Sequence, residues 1–237
     1  MSKPVSLSLR ALHRLFLRPN KRQRLRHLAR LRLIEQLEMR ALLTGVTLID
    51  LNQTPAGSDP SAVVVVGDQG FFSAGDGTHG RELWRTDGTE AGTVLVKDIQ
   101  PGPSGSLSQS GFSQSVDVSG TLFFVADELT HGQELWKSDG TEAGTVLVKD
   151  IYPGRESSSI QALTASNGRL YFLANDGVHG NELWTSDGTE AGTVLVKDIH
   201  PSGSQKFDSD GGSIVSFGDG VLFGASDGVR GRELWRS

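Results

Sequence analysis

The chain has 237 residues, 30 of them Gly and none Cys, so it is long enough for a substantial core and typical of a turn-rich all-β protein. The lack of Cys excludes a disulfide framework and thiolate metal sites. The net charge of -5 hides an asymmetry: residues 1–44 hold eleven Lys and Arg against two acids, and residues 45–237 hold twelve against 26. This split indicates a basic targeting or anchoring segment, 1–44, ahead of an acidic domain, 45–237.

The basic arm contains no run of 18 apolar residues, so no transmembrane helix is predicted, and it has no uncharged core of an ordinary signal peptide. Apolar residues recur at three- and four-residue steps, which is typical of an amphipathic helix: Leu25, Leu28, Leu31, Ile34, Leu37 and Ala41. No aromatic residues interleave the arginines to stack on bases, so nucleic-acid binding is not expected. We expect a helical or disordered arm that is dispensable for folding and needed for export. A merely solvated extension is the alternative.

One stretch of the arm carries a more specific pattern. Leu37, Glu38, Arg40, Leu42 and Leu43 follow one another at the spacing Leu-Glu-x-Arg-x-Leu-Leu. This stretch resembles the N-terminal surface-protein motif of planctomycete bacteria, Leu-Glu-Pro-Arg-x-Leu-Leu, with Met39 in place of Pro. The resemblance implies export to the cell surface or outside the cell.

The remainder of the chain is repetitive. The string Asp-Gly-Thr-Glu-Ala-Gly-Thr-Val-Leu-Val-Lys-Asp-Ile occurs three times unchanged, at 87–99, 139–151 and 187–199, and each copy follows Glu-Leu-Trp by two residues. The four tryptophans are spaced 52, 48 and 51 residues apart: Trp84, Trp136, Trp184 and Trp235. A period near fifty indicates a propeller or solenoid.

Each repeat contains four β-prone runs between turn clusters. In the third repeat they are 169–174, 181–185, 192–199 and a variable run at 213–217. Asp-Gly pairs between the runs supply the positive φ that tight turns need. The sequence therefore predicts an all-β, β-propeller-like fold of about four four-stranded repeats.

The two ends of the repeat region are incomplete. Residues 46–51 match the third strand, 62–66 match the fourth, and the chain stops after a second strand at 232–236. Sixteen strands would form four units if 46–51 and 62–66 complete the last one, which predicts a closed ring and a compact monomer. Closure would also remove bare sheet edges. A truncated array, as part of a larger surface protein, is the alternative.

The repeat Glu-Leu-Trp-x-x-Asp-Gly-Thr-x-x-Gly-Thr resembles the repeat of that name in large bacterial surface proteins, which are hyalin-like or propeller-like. The resemblance covers residues 46–237, with three complete copies and one cut short. It implies an extracellular β-propeller-like module and no established activity.

The repeated Trp and Glu each have a structural and a functional interpretation. Leu83 and Trp84 must point to opposite faces of a regular strand, and a Trp in every repeat is expected in the core between repeats, with a sugar-stacking platform as the alternative. A glycosidase needs two carboxylates about 5–10 Å apart. The repeat glutamates are equivalent, and no pair stands out: Glu82, Glu134, Glu182 and Glu233.

Metal sites are also not predicted. His79, His131 and His179 lie in turns about fifty residues apart, and Arg230 replaces the fourth, whereas zinc needs converging ligands. Asp87 is expected to bond nearby backbone amides, with Gly88 in the left-handed region, and not to hold Ca²⁺. No catalytic, cofactor-binding or metal residue is therefore assigned.

The sequence favours a non-enzymatic, secreted or cell-surface β-repeat protein that acts as a structural or adhesion-type interaction module. An unknown protein or glycan would bind through the variable segments 100–116, 152–163 and 200–215, because loops on a rigid scaffold carry recognition. The alternative is a carbohydrate-active propeller, either a hydrolase or a lyase.

Overall fold

The computed structural model describes residues 48–52, 56–108, 111–201 and 213–237, so the basic arm and its motif lie outside the described residues. Residues Ile49–Ser237 form one compact unit. In its described residues the regular elements are fifteen strands and a short 3-10 helix, Gly111–Ser113. In chain order the strands are β1 Val64–Val66, β2 Gln69–Gly75, β3 Arg81–Thr86, β4 Val94–Lys97, β5 Ser115–Val118, β6 Thr121–Glu128, β7 Gly132–Ser138, β8 Val146–Lys149, β9 Gln161–Ser166, β10 Arg169–Asn175, β11 Asn181–Ser186, β12 Val194–Lys197, β13 Ile214–Phe217, β14 Gly220–Ser226 and β15 Arg232–Arg236.

The strands form consecutive antiparallel sheets. Three sheets have four strands, β1–β4, β5–β8 and β9–β12, and the fourth has three, β13–β15. The register is the same in each, since a Phe of the second strand lies directly opposite the Trp of the third, as in Phe124 and Trp136. The all-β, propeller-like fold predicted from the repeats is therefore confirmed.

The strand that varies between repeats belongs to a different sheet from the one predicted from sequence. The pattern places 213–217 as the last strand of the third repeat, but β13 pairs with β14 and opens the next sheet. The same holds for β5 and β9. A two-residue turn joins each variable strand to its successor, as at Ser119 and Gly120, whose φ angles are 54° and 88°. Such a hairpin fixes the pairing forward along the chain.

Successive sheets pack face to face, and their first strands, β1, β5, β9 and β13, lie next to one another. We call the side of a sheet that meets the next sheet its leading face, and the opposite side its trailing face. Leu83 lies on the leading face of the first sheet and packs with Phe124 and Trp136 on the trailing face of the second. Equivalent residues fill the next two interfaces.

The prediction that the Trp lies in the core between repeats is confirmed for two of the repeats. Trp136 and Trp184 are 7% and 6% exposed and belong to the clusters between consecutive sheets. Trp84 is 8% exposed, but it lies on the trailing face of the first sheet and packs with Phe72, Ala74 and Leu51. None of these three rings is presented as a platform.

The Asp-Gly-Thr turns connect the third and fourth strands, and their predicted hydrogen bonding is confirmed. Asp87 Oδ1 accepts hydrogen bonds from Thr89 N at 2.9 Å and from Thr89 Oγ1 at 2.7 Å. Gly88 has a φ of 89°. Thr93 Oγ1 donates back to Thr89 O at 2.6 Å. The turns at Asp139 and Asp187 repeat these contacts.

The predicted ring closure is not found. Residues 48–51 form no strand, and β1, which the closure scheme assigned to the last sheet, pairs with β2 in the first. Leu234 on the leading face of the last sheet is 75% exposed, whereas Leu83, Leu135 and Leu183 are 0% exposed. Residues 48–51 can form a strand only by hydrogen bonding to the edge of another strand. In the described part of the chain, the outer edge of β15 has no strand beside it.

Across these described residues, no helix has the length and apolar character needed to cross a membrane.

Candidate interaction surface

The Glu of each Glu-Leu-Trp is an anchor for the variable segment of its repeat. Glu82 on β3 is 0% exposed. Its carboxylate accepts hydrogen bonds from Ile99 N and Gln100 N, each at 3.2 Å, and from Ser106 N at 2.8 Å. The Ser106 hydroxyl donates to the same carboxylate at 2.5 Å. Both ends of the stretch 100–105 are thus fixed to one buried side chain.

The second repeat builds the same anchor, and the described part of the third shows one of its contacts. Glu134 accepts hydrogen bonds from Ile151 N at 3.1 Å and Tyr152 N at 3.2 Å, and Ser158 is fully buried beside the segment. Glu182 accepts one from His200 N at 3.1 Å. The stretch between the anchored residues spans six residues in both described cases, 100–105 and 152–157. The anchor therefore fixes the ends of segments that have equal length and different sequences.

Burial perturbs the titration of these glutamates. Loss of solvent raises the pKa of Glu134 to about 7, against hydrogen bonds from Ser158, Ile151 and Tyr152 that favour the charged form. Burial likewise raises the pKa of Glu82 and of Glu182. A raised carboxyl pKa is common in general acids, but each of these carboxyls is enclosed by its own repeat. Their arrangement fits a structural anchor, since a general acid must reach its substrate.

The Asp-Gly-x-His turns lie at the same end of the sheets as the variable segments. Each turn joins the second strand to the third, and each variable segment leaves the fourth strand at that end. The two features touch across the sheet interfaces, because Tyr152 lies against Gly177 and His200 against Gly228. Together they form one surface, which we call the variable end.

Each turn His is paired within its own turn. His79 Nδ1 lies 2.6 Å from Asp76 Oδ2, His179 Nδ1 lies 2.6 Å from Asp176 Oδ2, and His131 pairs with Glu128. The three His side chains are 38–44% exposed. The prediction of separate surface histidines is confirmed. The described residues contain no group of three or more His and acids that could hold a metal ion.

These pairs shift the pKa of both partners. The hydrogen bond from Asp76 raises the pKa of His79, and the bonds from Asp176 and Glu128 raise those of His179 and His131. Burial alone would raise the pKa of Asp76, but hydrogen bonds from His79 and Thr78 outweigh it, and the pKa falls below its ordinary range. Each pair therefore favours the charged form of both of its members.

The exposed side chains of the variable end differ between repeats. Between the anchored residues, the first segment exposes Pro101, Pro103 and Ser104, and the second exposes Pro153, Arg155 and Glu156. The third segment, 200–215, is described only at 200–201 and 213–215. The variable end thus presents uncharged groups from one repeat and charged groups from the next, on segments that are anchored in the same way. Such an arrangement can recognise a ligand.

The anchor role of the repeat Glu is absent from the sequence prediction. Its partners are mainly backbone N–H groups 17 to 24 residues downstream, and every residue other than Pro carries such a donor. The sequence contains one weak signal of the anchor. A Ser lies eight residues after the last Asp of the thirteen-residue string, at Ser106 after Asp98 and at Ser158 after Asp150.

Comparison with known proteins adds little. No protein-family model matches the chain, and no curated protein matches it. Among solved structures, it resembles a putative exo-β-1,3-galactanase from Bifidobacterium bifidum s17, with 12% identity and a TM-score of 0.33, over 78% of this chain and 70% of that one. It also resembles an α-L-arabinofuranosidase from Clostridium thermocellum, with 17% identity and a TM-score of 0.30, over 70% and 59% of the two chains. These scores are too low to bear on activity.

Proposed function

We propose that the chain is a non-enzymatic, secreted or cell-surface β-repeat protein whose variable end binds a protein or glycan ligand. The observation that carries the proposal is the anchor, in which Glu82 and Glu134 hold stretches of equal length and different sequence in the same frame. Recognition commonly resides in loops that a rigid scaffold positions. The resemblance of the arm to a surface-protein motif supports the location.

The alternative, a carbohydrate-active propeller, receives less support from the geometry. The repeat carboxylates best placed by sequence, Glu82, Glu134 and Glu182, are buried and hydrogen-bonded to their own variable segments. A hydrolase of the usual kind needs two carboxylates that reach one glycosidic bond. These three carboxylates, in the described part of the chain, therefore do not supply such a pair.

The binding test exchanges one loop for another. The full chain and a variant in which 153–157 is replaced by the sequence of 101–105 are applied to a glycan array and to immobilised extracellular-matrix proteins. We expect the wild-type chain to bind some members and the variant to lose them. The melting temperature should not change, because Tyr152, Ser158 and Glu134 are retained. Identical binding by both chains would refute the role of the variable end.

Two further measurements separate the functional classes and the location. Incubation with the bound polysaccharides should release no reducing ends or unsaturated sugars, and release at a catalytic rate would establish the enzyme instead. Deletion of residues 1–44 should move the protein from the cell surface or medium to the cell interior. Normal export of the deleted chain would overturn the proposed role of the arm.

A further inference from the structure

A cleft opens between the second and third sheets, at the end of the sheets opposite the variable end. This end carries the hairpins that join the first strand of each sheet to the second, and the Asp-Gly-Thr turns. The cleft has a volume of about 200 Å³. Val118 and Phe123 are buried at its floor, and Ser119 and Asp187 are exposed at its mouth. It is therefore a space separate from the surface proposed to bind a ligand above.

The cleft interrupts the repetition of the chain. Thr121 begins β6 and lines the cleft, and Gln69 begins β2 at the equivalent position of the first sheet. In the first interface this longer side chain reaches the Asp-Gly-Thr turn of the next sheet, since a Cβ on Gly140 would lie 3.0 Å from Gln69 Oε1. In the second interface the equivalent Gly188 lines the cleft. The short Thr121 side chain therefore leaves open a space that Gln69 enters in the first interface.

Ser119 is a second departure from the other repeats. It is the first turn residue of the hairpin between β5 and β6, and its φ of 54° is uncommon for a residue with a side chain. Gly67 and Gly218 hold the equivalent positions of the first and last sheets, each with a φ of 63°, and Asn167 holds that of the third. The second sheet thus places a hydroxyl at the mouth of the cleft at the expense of backbone strain, which is common at functional sites.

The residues that line the cleft include one of each charge. Lys137 Nζ donates a hydrogen bond to Gly188 O at 2.8 Å. Asp187 Oδ1 accepts hydrogen bonds from Thr189 N at 2.9 Å and Thr189 Oγ1 at 2.7 Å. An ammonium has three donors and a carboxylate has about four acceptor sites. Both groups are therefore held in place by the protein and retain the capacity to bond a ligand.

These groups match a neutral ligand with several hydroxyls. A simple anion or cation is disfavoured, because one of the two charges would repel it. A sugar hydroxyl donates and accepts, as do Ser119 and Thr121, so it can bond to an ammonium, a carboxylate or another hydroxyl. The buried Val118 and Phe123 suit the C–H face of a sugar ring. The volume equals that of about seven water molecules at liquid density, which is enough for the ring of one sugar residue.

We propose that this cleft binds one neutral sugar residue at the end of a glycan. The sugar hydroxyls bond to Lys137, Asp187 and Ser119, and the ring lies over Phe123. Because the site is built from the hairpins and the Asp-Gly-Thr turn, it does not depend on which ligand the variable end binds.

The first test measures binding of free sugars to the full chain. Methyl glycosides of neutral hexoses are screened by saturation-transfer difference NMR. Glycine and sulfate are then added as competitors that represent a zwitterion and an anion. We expect at least one glycoside to bind and neither competitor to displace it. The absence of binding by every glycoside, or displacement by either competitor, would overturn the proposal.

The second test uses variants that copy the other repeats of the chain. Thr121→Gln introduces the side chain of the first interface and should abolish binding. Ser119→Gly introduces the residue found at Gly67 and Gly218, and it should weaken binding about two- to tenfold, as the loss of one hydrogen bond does. Neither variant should lower the melting temperature, because the chain accommodates both residues at equivalent positions. Asn167→Gly is the matched control, since Asn167 also has a positive φ and does not line the cleft. Glycoside binding that is unchanged in Thr121→Gln and in Ser119→Gly would refute the site.

The third test separates this site from the variable end. The variant with the exchanged segment 153–157 keeps every residue that lines the cleft, so it should bind the glycosides like the wild type. Loss of glycoside binding in that variant would assign the sugar to the variable end, which would overturn this proposal and leave the proposed function intact. The two sites are thus tested by separate variants and can fail independently.

Discussion

At the scale of single residues, repetition makes some roles predictable and hides others. Trp136 and Trp184 recur at a fixed phase, and a large aromatic with that phase belongs in the core between repeats, as the structure shows. Glu82 and Glu134 recur with the same phase, but their partners are backbone groups of segments whose sequences differ. The tryptophan role was therefore readable from sequence, and the anchor role was not.

Trp136→Ala is expected to lower the free energy of unfolding by roughly 3–5 kcal/mol, as truncation of large buried aromatics does. Trp136 is 7% exposed and packs between the first two sheets. Urea unfolding followed by circular dichroism measures the loss. Trp235→Ala is the comparison, because Trp235 is only half-buried on the last sheet, and its loss should cost less. Equal costs for the two variants would contradict this role.

The buried Glu134 should make stability depend on pH. Its pKa is raised to about 7 in the folded protein from 4.5, so the folded state binds the proton more tightly than the unfolded state. Its contribution is therefore full below pH 4.5 and is lost as pH rises from 4.5 to about 7, by on the order of 2–3 kcal/mol. Urea unfolding of wild type and Glu134→Gln at pH 4.5 and 7.5 measures the difference. The variant should lose less stability over that range, and an identical loss would refute the assignment.

At the scale of the elements, the positions of strands and turns were predictable, but the grouping of strands into sheets was not. Alternating runs and Asp-Gly pairs locate β2, β3 and their turns because these signals are local. The pairing of β9 depends on Asn167 and Gly168, whose φ angles of 49° and 73° form a tight hairpin with β10. Asn-Gly between two strands is the strongest short hairpin signal, and it indicates a pairing with β10 that the repeat pattern alone does not.

The Asp-Gly-Thr turn should tolerate no side chain at its second Gly. A Cβ on Gly144 would lie 2.1 Å from Asp139 Oδ1, so the Asp that organises the turn must move. Gly144→Ala is expected to lower the free energy of unfolding by about 1–3 kcal/mol, as other overpacking substitutions do. Thermal unfolding measures the change. Ala143→Ser at the exposed neighbouring position is the control and should be silent; equal melting temperatures for the two variants would count against the turn's importance.

At the scale of the whole molecule, the sheets are joined by one interface used repeatedly. The period near fifty predicted successive sheets, because each unit must bury its two apolar faces against neighbours. Closure of the ring was wrongly predicted from matching strands at the two ends. A match shows that two segments suit the same place in a sheet, and it does not bring them together; Leu234 remains exposed and residues 48–51 form no strand.

The fold is expected to need no metal ion. In the described residues the turn carboxylates Asp87, Asp139 and Asp187 already accept hydrogen bonds from the Thr two residues ahead. Addition of a strong chelator should leave the melting temperature within about one degree, since removing a ligand destabilises only a protein that binds it in the folded state. A fall of many degrees, reversed by Ca²⁺, would reveal a structural site.

The matching of leading and trailing faces also bears on how such a chain changes over generations. Every complete repeat presents the same pair of faces, so the loss or duplication of one repeat joins a leading face to a trailing face that already fit each other. The thirteen-residue string is identical in three repeats, so a junction within it leaves the turn and the strand that it forms unchanged. The length of the protein can therefore vary in whole repeats without new packing having to arise, while the anchored segments between the strings diversify separately.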